Sequence, residues 1–272
     1  MTEAPARLGA RYARPSGWQV ATLVDAWAES PSARTLVLEV AHWPGHMAGQ
    51  HVDLRLTAPD GYRAERSYSV GSAATRSTVP EGSALDGAAP ARVELTVQRV
   101  AGGEVSTYLT DVFAVGDAIE LRGPVGGWFV WSPERDAGTP VLLAAGGSGL
   151  VPLMAMLRTR REAGDRTPFR LVYSVRRPED RLYVDDLDRL VAAHDGLDVQ
   201  VVYTRSTPLG SVRGPGRLER RELAAWGWPA EIEPACFVCG PTGFVEALAR
   251  QLVSLGHDPA RIRTERFGPA AD

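Results

Sequence analysis

The chain has 272 residues, a formal charge of −3, and 44% hydrophobic and 23% charged residues, a balance typical of a globular protein long enough for two domains. Its 30 basic residues are all arginine, which excludes a lysine Schiff base or a P-loop lysine, and the slight acidity argues against nucleic acid or an anionic membrane as partner. Two cysteines, Cys236 and Cys239, are too few for a disulfide framework or an iron–sulfur cluster.

Residues 1–17 show no period and read as a flexible N-terminal tail; they lack the basic flank and apolar core of a signal peptide, so the expected location is the cytoplasm. From there to residue 133 the pattern is short strands between turn residues, at 18–24, 34–40, 51–56, 92–97 and 117–121, with a further strand start at Arg66. Their spacing predicts an antiparallel β-barrel, interrupted by a Gly/Ala/Ser/Pro-rich hairpin loop at 77–91 and one helix at 107–113. A linker around 132–140 precedes a change of pattern. Strand-like runs at 141–145, 169–175, 197–203 and 235–239 alternate with helical periods at 149–163, 183–194, 219–226 and 243–255. That alternation predicts a parallel sheet covered by helices, an α/β domain over 139–272. The longest apolar region, 141–157, is broken by glycines and is no membrane span.

Three local patterns carry chemistry. Gly146, Gly147 and Gly149 bend a buried strand into a helix, where bare backbone N–H groups favour phosphate. Gly102-Gly103-Glu104-Val105-Ser106 is a second glycine turn feeding a helix, with Ser106 as the expected N-cap; taken alone it is equally a plain capped helix. Arg66-Ser67-Tyr68-Ser69 starts a strand whose alternation puts Arg66 and Tyr68 on one face, suited to a phosphate and a flat ring, or to nothing more than a solvent-facing strand. Cys236 and Cys239, three apart in a strand, point to opposite faces and form neither a redox nor a metal pair. His42, His46 and His51 lack metal-ligand spacing, and no metal is expected.

In order, Arg66-x-Tyr68-Ser69, Gly102-Gly103-x-x-Ser106, Gly146-Gly147-x-Gly149-x-x-Pro152, Cys239-Gly240-Pro241 and Glu265-x-Phe267 resemble the ferredoxin–NADP reductase superfamily, as does Gly49-Gln50-His51-Val52, with His51 where an aromatic is more usual. The resemblance implies a flavin-binding barrel at 18–133 and a nicotinamide-nucleotide domain at 139–272. It implies FAD, with Arg66, Gly103, Val105 and Ser106 at its pyrophosphate, Tyr68 against its ring and Ser69 near N5. Phe267 would cover the ring, although this chain continues to Asp272 where many members stop. Gly146, Gly147, Gly149, Pro152, Cys239, Gly240 and Pro241 would meet the nicotinamide nucleotide, and Ser69, Cys239 and Glu265 would stand at the reacting rings. Ser174, Arg176, Arg177, Thr204, Arg205 and Arg217 gather near the strand ends and favour NADPH over NADH, since a 2′-phosphate needs cationic partners. With no fused iron–sulfur, globin or oxygenase domain visible, the expected acceptor is a separate protein such as a ferredoxin or flavodoxin. Reduction of free flavin, ferric ion or quinone, and a non-catalytic electron-transfer or nucleotide-sensing subunit, are the alternatives.

Overall fold

A computed structural model describes residues 17–58, 60–75 and 90–268. The tail expected at 1–17 and the loop expected at 77–91 fall almost wholly outside these, as do the last four residues.

The first half forms one six-stranded antiparallel sheet from β1 (Gln19–Ser30), β2 (Ala33–Val40), β3 (His51–Thr57), β4 (Arg63–Ser69), β5 (Ala91–Gln98) and β6 (Ala118–Val125). Strand order is β4-β3-β6-β1-β2-β5. Val70, just past β4, bridges Leu95 of β5, so the two edge strands meet and the sheet closes on itself. Alternation along the strands turns Leu23, Leu36, Leu38, Val52, Leu54, Val93, Leu95 and Leu121 inward to a fully buried core. Helix α1 (Glu104–Asp111) covers one end, with Val105 and Leu109 packed into that core. It begins earlier than expected: Gly103 is the N-cap, and Ser106 sits inside the first turn, where its hydroxyl accepts from Val100 N at 3.1 Å. The expected linker contains a short helix, α2 (Pro133–Asp136), whose N-cap Ser132 accepts from Arg135 N.

The second half is a five-stranded parallel sheet of β7 (Val141–Gly146), β8 (Phe169–Val175), β9 (Leu197–Tyr203), β10 (Ala235–Pro241) and β11 (Ile262–Phe267), in the order β11-β10-β7-β8-β9. Helices α3 (Leu150–Glu162), α4 (Val184–Ala192), α5 (Arg220–Trp226) and α6 (Thr242–Ser254) connect these strands. Because β7 and β10 are central, successive residues face two different cores. Leu142, Cys236 and Val238 pack with Leu223 of α5 and Val245, Leu248 and Leu252 of α6. Leu143, Phe237 and Cys239 pack with α3 on the other side. The two cysteines therefore do lie on opposite faces.

That second core also takes in the barrel. Phe129 and Trp131 from the barrel side meet Phe237 and Phe169 edge-on, with ring centroids 5.5 and 5.1 Å apart. Arg158 of α3 pairs with Glu94 of β5 and Asp186 of α4 and donates to Gly71 O at 2.7 Å. Apolar packing and ion pairs together hold the two sheets in one fixed arrangement. Among the described residues no helix is long and apolar enough to cross a membrane.

Candidate active site

A cleft of about 1700 Å³ runs between the closed sheet and the C-terminal edge of the parallel sheet. Ligands of open α/β sheets bind outside the carboxyl ends of the strands, and this volume exceeds what one drug-sized molecule fills. The cleft has room for two nucleotides.

The barrel wall is built by β4, β5 and the turn into α1. Arg66, Ser67, Tyr68 and Ser69 all line it, with Thr96, Gln98, Gly103, Val105 and Ser106. Register pairs Ser69 with His51 and Tyr68 with Val52, so His51 lines the same wall. Burial pushes the Tyr68 phenol up to about 12, keeping it a neutral hydroxyl, and lowers the His51 imidazole. Space is tight at Gly103: a Cβ there would stand 2.7 Å from the Ser106 hydroxyl and 3.2 Å from Val100 O, so a side chain would have to displace that hydroxyl. The turn stays slim, and the bare N-terminus of α1 lies open to an anion.

The opposite wall comes from the strand ends Gly146, Gly147, Ser148, Ser174, Arg176, Thr204, Pro241 and Glu265–Phe267, with Arg217 from the loop before α5. Glycines allow close approach here. A Cβ on Gly149 would lie 2.2 Å from Cys239 O, one on Gly240 would lie 2.9 Å from the Gly146 backbone, and one on Gly146 would strike the Phe244 ring at 2.9 Å. Gly147 has φ +54°. Neither α3 nor α6 carries a capping side chain or an acidic residue in its first turn, so both helix starts remain electropositive.

The described structure separates the expected nucleotide residues into two groups. Gly146, Gly147, Ser174, Arg176, Thr204, Arg217 and Pro241 line the cleft. Gly149, Pro152, Cys239 and Gly240 stand behind its wall, with Cys239 fully buried; Arg177 and Arg205 also lie off the wall. Arg177 pairs with Glu179 at 3.8 Å. Arg205 joins the turn after β9 through its backbone, donating to Arg176 O at 2.9 Å. Unlike Arg177, Arg176 and Arg217 make no ion pair among the described residues, and their charge is available to a ligand on the cleft wall. Thr96, Gln98 and Phe244 line the cleft without having been singled out in the sequence. Their types are those of ordinary strand and helix residues, and only the packing of the two sheets brings them to the wall.

The walls meet at Ser69 and Glu265, where the Ser69 hydroxyl donates to the Glu265 carboxylate at 3.3 Å across 196 residues of chain. Glu265 is register-paired with Cys239 on the strand beside it. Burial pushes the Glu265 carboxyl up to about 7, and the Ser69 hydroxyl only partly offsets this. Burial and the neighbouring Glu265 raise the Cys239 thiol, which is thereby held neutral. Phe267 is half-buried against the shared core at the end of the same strand and lines the cleft. A hydroxyl, a carboxyl that exchanges its proton near neutral pH and an aromatic ring thus converge at one point. His46 is no ligand candidate: its ring is fully buried, bonded to Thr75 and Ser72 O, and lowered to about 4 by that burial. Among the described residues no three His, Cys, Asp or Glu side chains form a metal-ligating group.

Comparison with known proteins agrees with this geometry. Residues 21–130 match the family described as "Oxidoreductase FAD-binding domain", and residues 143–250 match "Oxidoreductase NAD-binding domain". The chain is 33% identical over 228 residues to a flavohemoprotein of Pseudomonas putida, a match covering 82% of this chain and 51% of that protein. It is 30% identical over 224 residues to the glycine betaine monooxygenase reductase subunit of Pseudomonas aeruginosa, covering 81% of this chain and 56% of that one. The chain therefore spans about half the length of the curated relatives it matches. Among solved structures, the FAD/NAD-binding domain of nitric oxide dioxygenase from Vibrio cholerae is similar at TM-score 0.75 and 26% identity, covering 92% of this chain and 98% of that one. The two matched families, the antiparallel sheet followed by the parallel sheet, and the cleft between them lead to one conclusion: the chain belongs to the ferredoxin–NADP reductase superfamily and is an FAD- and nicotinamide-nucleotide-binding oxidoreductase.

Proposed function

We propose that this chain takes electrons from NADPH and delivers them one at a time, by way of FAD, to a separate acceptor protein such as a ferredoxin or flavodoxin. The observation that carries the reading is the Ser69–Glu265 contact, which joins the wall that would hold the flavin to the wall that would hold the nicotinamide nucleotide. The residues fit both nucleotides. Arg66, Gly103, Val105 and Ser106 would hold the FAD pyrophosphate, the arginine by charge and the turn by its backbone N–H groups. Tyr68 and Phe267 would flank the flat ring. Gly146, Gly147 and Pro241 would seat the nicotinamide nucleotide, while Gly149, Pro152, Cys239 and Gly240 shape that seat from behind. Arg176 and Arg217, with Ser174 and Thr204, would receive a 2′-phosphate, which favours NADPH over NADH. FAD, when bound, supplies the acceptance of a hydride and its release as single electrons. The chain's own residues orient and exclude water, and Glu265, hydrogen-bonded by Ser69, holds or releases a proton near neutral pH at the junction of the walls.

Arginine is the chain's sole cationic side chain type, and small redox carriers dock through small, charge-steered interfaces. Reduction of an acidic ferredoxin or flavodoxin should therefore fall as salt rises, whereas reduction of ferricyanide changes much less. Turnover with free flavin, quinone or ferric ion but with no protein carrier would replace this reading by that of a small-molecule reductase. Nucleotide binding with no dye reduction by the FAD-loaded protein would leave a non-catalytic subunit.

A further inference from the structure

Among the described residues, Arg213 is the arginine whose hydrogen-bonding capacity is most completely used, and it is not part of the cleft lining. A guanidinium has five N–H donors in a rigid planar fork. In Arg213 the Nε and one terminal nitrogen grip both oxygens of Glu222, at 2.6 and 2.9 Å. The remaining donors reach the carbonyls of Gly214 at 3.1 Å, Gly216 at 3.2 Å and Arg217 at 2.9 Å. Five donors meet five acceptors. Glu222 is itself fixed, since it closes the capping box of α5 by accepting from Glu219 N at 2.9 Å. The segment so held, Gly214-Pro215-Gly216-Arg217, carries a glycine on each side of Pro215, and these two positions have little intrinsic preference for one backbone shape. Its other tether is a single bond from Gly216 N to Tyr203 O at 2.9 Å. Arg217 is the residue this device delivers: its carbonyl is held and its side chain is exposed on the cleft wall.

We infer that the Arg213–Glu222 pair is a positioning device for nucleotide selection, which fixes the backbone of the 213–217 loop so that Arg217 stands ready for a 2′-phosphate. Arg213 acts through Arg217 without touching the nucleotide. The inference rests on the assignment of Arg217 to the 2′-phosphate. A preformed loop spares the ligand the entropy of ordering it, so the gain appears as affinity for the phosphorylated ribose alone. Lysine in place of Arg213 cannot make the five-fold set of bonds, because its ammonium is a point charge with three donors.

The test is calorimetric titration of the FAD-loaded protein with adenosine 2′,5′-bisphosphate and, separately, 5′-AMP. It is applied to wild type, Arg213→Ala, Arg213→Lys, Arg217→Ala and the Arg213→Ala/Arg217→Ala double variant. Wild type should prefer the bisphosphate. Arg217→Ala and Arg213→Ala should each weaken bisphosphate binding by roughly tenfold, the scale of one charged contact, with 5′-AMP affinity held within about twofold. The double variant should be no weaker than Arg217→Ala alone, since a positioning residue has nothing left to position. Arg213→Lys keeps the charge and guards against misfolding of the alanine variant; it should fall with Arg213→Ala. Equal loss of both ligands in the Arg213 variants, or fully additive losses in the double variant, would overturn the positioning role while leaving Arg217 at the phosphate. A wild-type protein that binds the two ligands alike, or an Arg217→Ala variant that keeps the preference, would overturn the NADPH assignment itself and this device with it.

Discussion

Glu265 offers a test in which the protein's own stability reports the state of the site. Its carboxyl titrates at about 7 in the folded chain, against an ordinary 4.5, because burial at the cleft floor penalises its charge. The sign follows from linkage: the folded state holds this proton more tightly than the unfolded chain does. Below the ordinary carboxylate value both states are protonated and nothing is lost. As pH rises through the window from 4.5 to 7 the folded state loses ground, and above 7 the full penalty applies. A displacement of that size corresponds to about 3 kcal/mol at most. Glu265→Gln keeps the size of the side chain and an acceptor for the Ser69 hydroxyl but cannot ionise. In flavin-free protein its melting temperature relative to wild type should therefore climb with pH, by about 5–10 °C between pH 5 and pH 8.5 for a chain of this length. Thermal denaturation followed by circular dichroism at several pH values measures it. A difference that stays constant across that range would mean that the carboxyl is solvated and that the junction of the two walls is not the water-poor site described above.

Four further outcomes can be measured. Arg66→Ala should weaken FAD binding about ten- to a hundredfold, the value of roughly 1.5–3 kcal/mol for a charge-assisted hydrogen bond, as read by equilibrium titration of the apoprotein. Arg217→Ala should lower kcat/KM for NADPH about tenfold, through KM, whereas Arg205→Ala, whose side chain lies off the cleft wall, should change it less than twofold. Phe267→Ala should alter KM for the nicotinamide nucleotide and shift the spectrum of bound flavin while leaving flavin content near wild type; an unchanged KM and spectrum would show that the ring lies elsewhere. Ser69→Ala removes the hydrogen bond that favours the charged carboxylate, so the pH-dependent step in the rate of flavin reduction should move to higher pH, and a step that stays put or moves down would contradict the contact.

The extent to which sequence foretold structure differs by element, for physical reasons. Strict alternation marked β3 and β5 because each has one face in the barrel core, and unbroken apolar runs marked β7 and the core of β10 because both of their faces are covered. The strand Ile262–Phe267 escaped pattern reading: as the sheet's edge it has one neighbour, and four of its six residues are polar or charged. The start of α1 was misplaced because a serine suggested a cap, whereas Gly103 caps with its backbone and Ser106 turns back to the loop. At the site, motif order located the glycines but could not say which line the cleft. Gly149 and Gly240 are small because Cys239 O and the Gly146 backbone press on them, a contact between distant strands. The arginines behaved likewise. Composition made Arg176, Arg177, Arg205 and Arg217 look alike, and only their place on or off the cleft wall and the Glu179 pair separated them. Arg213 left a faint trace, the Glu219-x-x-Glu222 spacing of a capping box, which marks the start of α5 but not the guanidinium it holds.

The central claim is that the two walls present one nucleotide to the other, with NADPH as donor. Anaerobic rapid mixing of the FAD-loaded protein with NADPH or NADH tests it most directly. The account predicts that one equivalent of NADPH bleaches the flavin absorbance in a fast phase, with a higher apparent second-order rate constant than NADH, and that Glu265→Gln slows this phase without releasing FAD. Absence of bleaching by either nucleotide, or a rate with NADH equal to or above that with NADPH together with an unaffected Glu265→Gln variant, would contradict it.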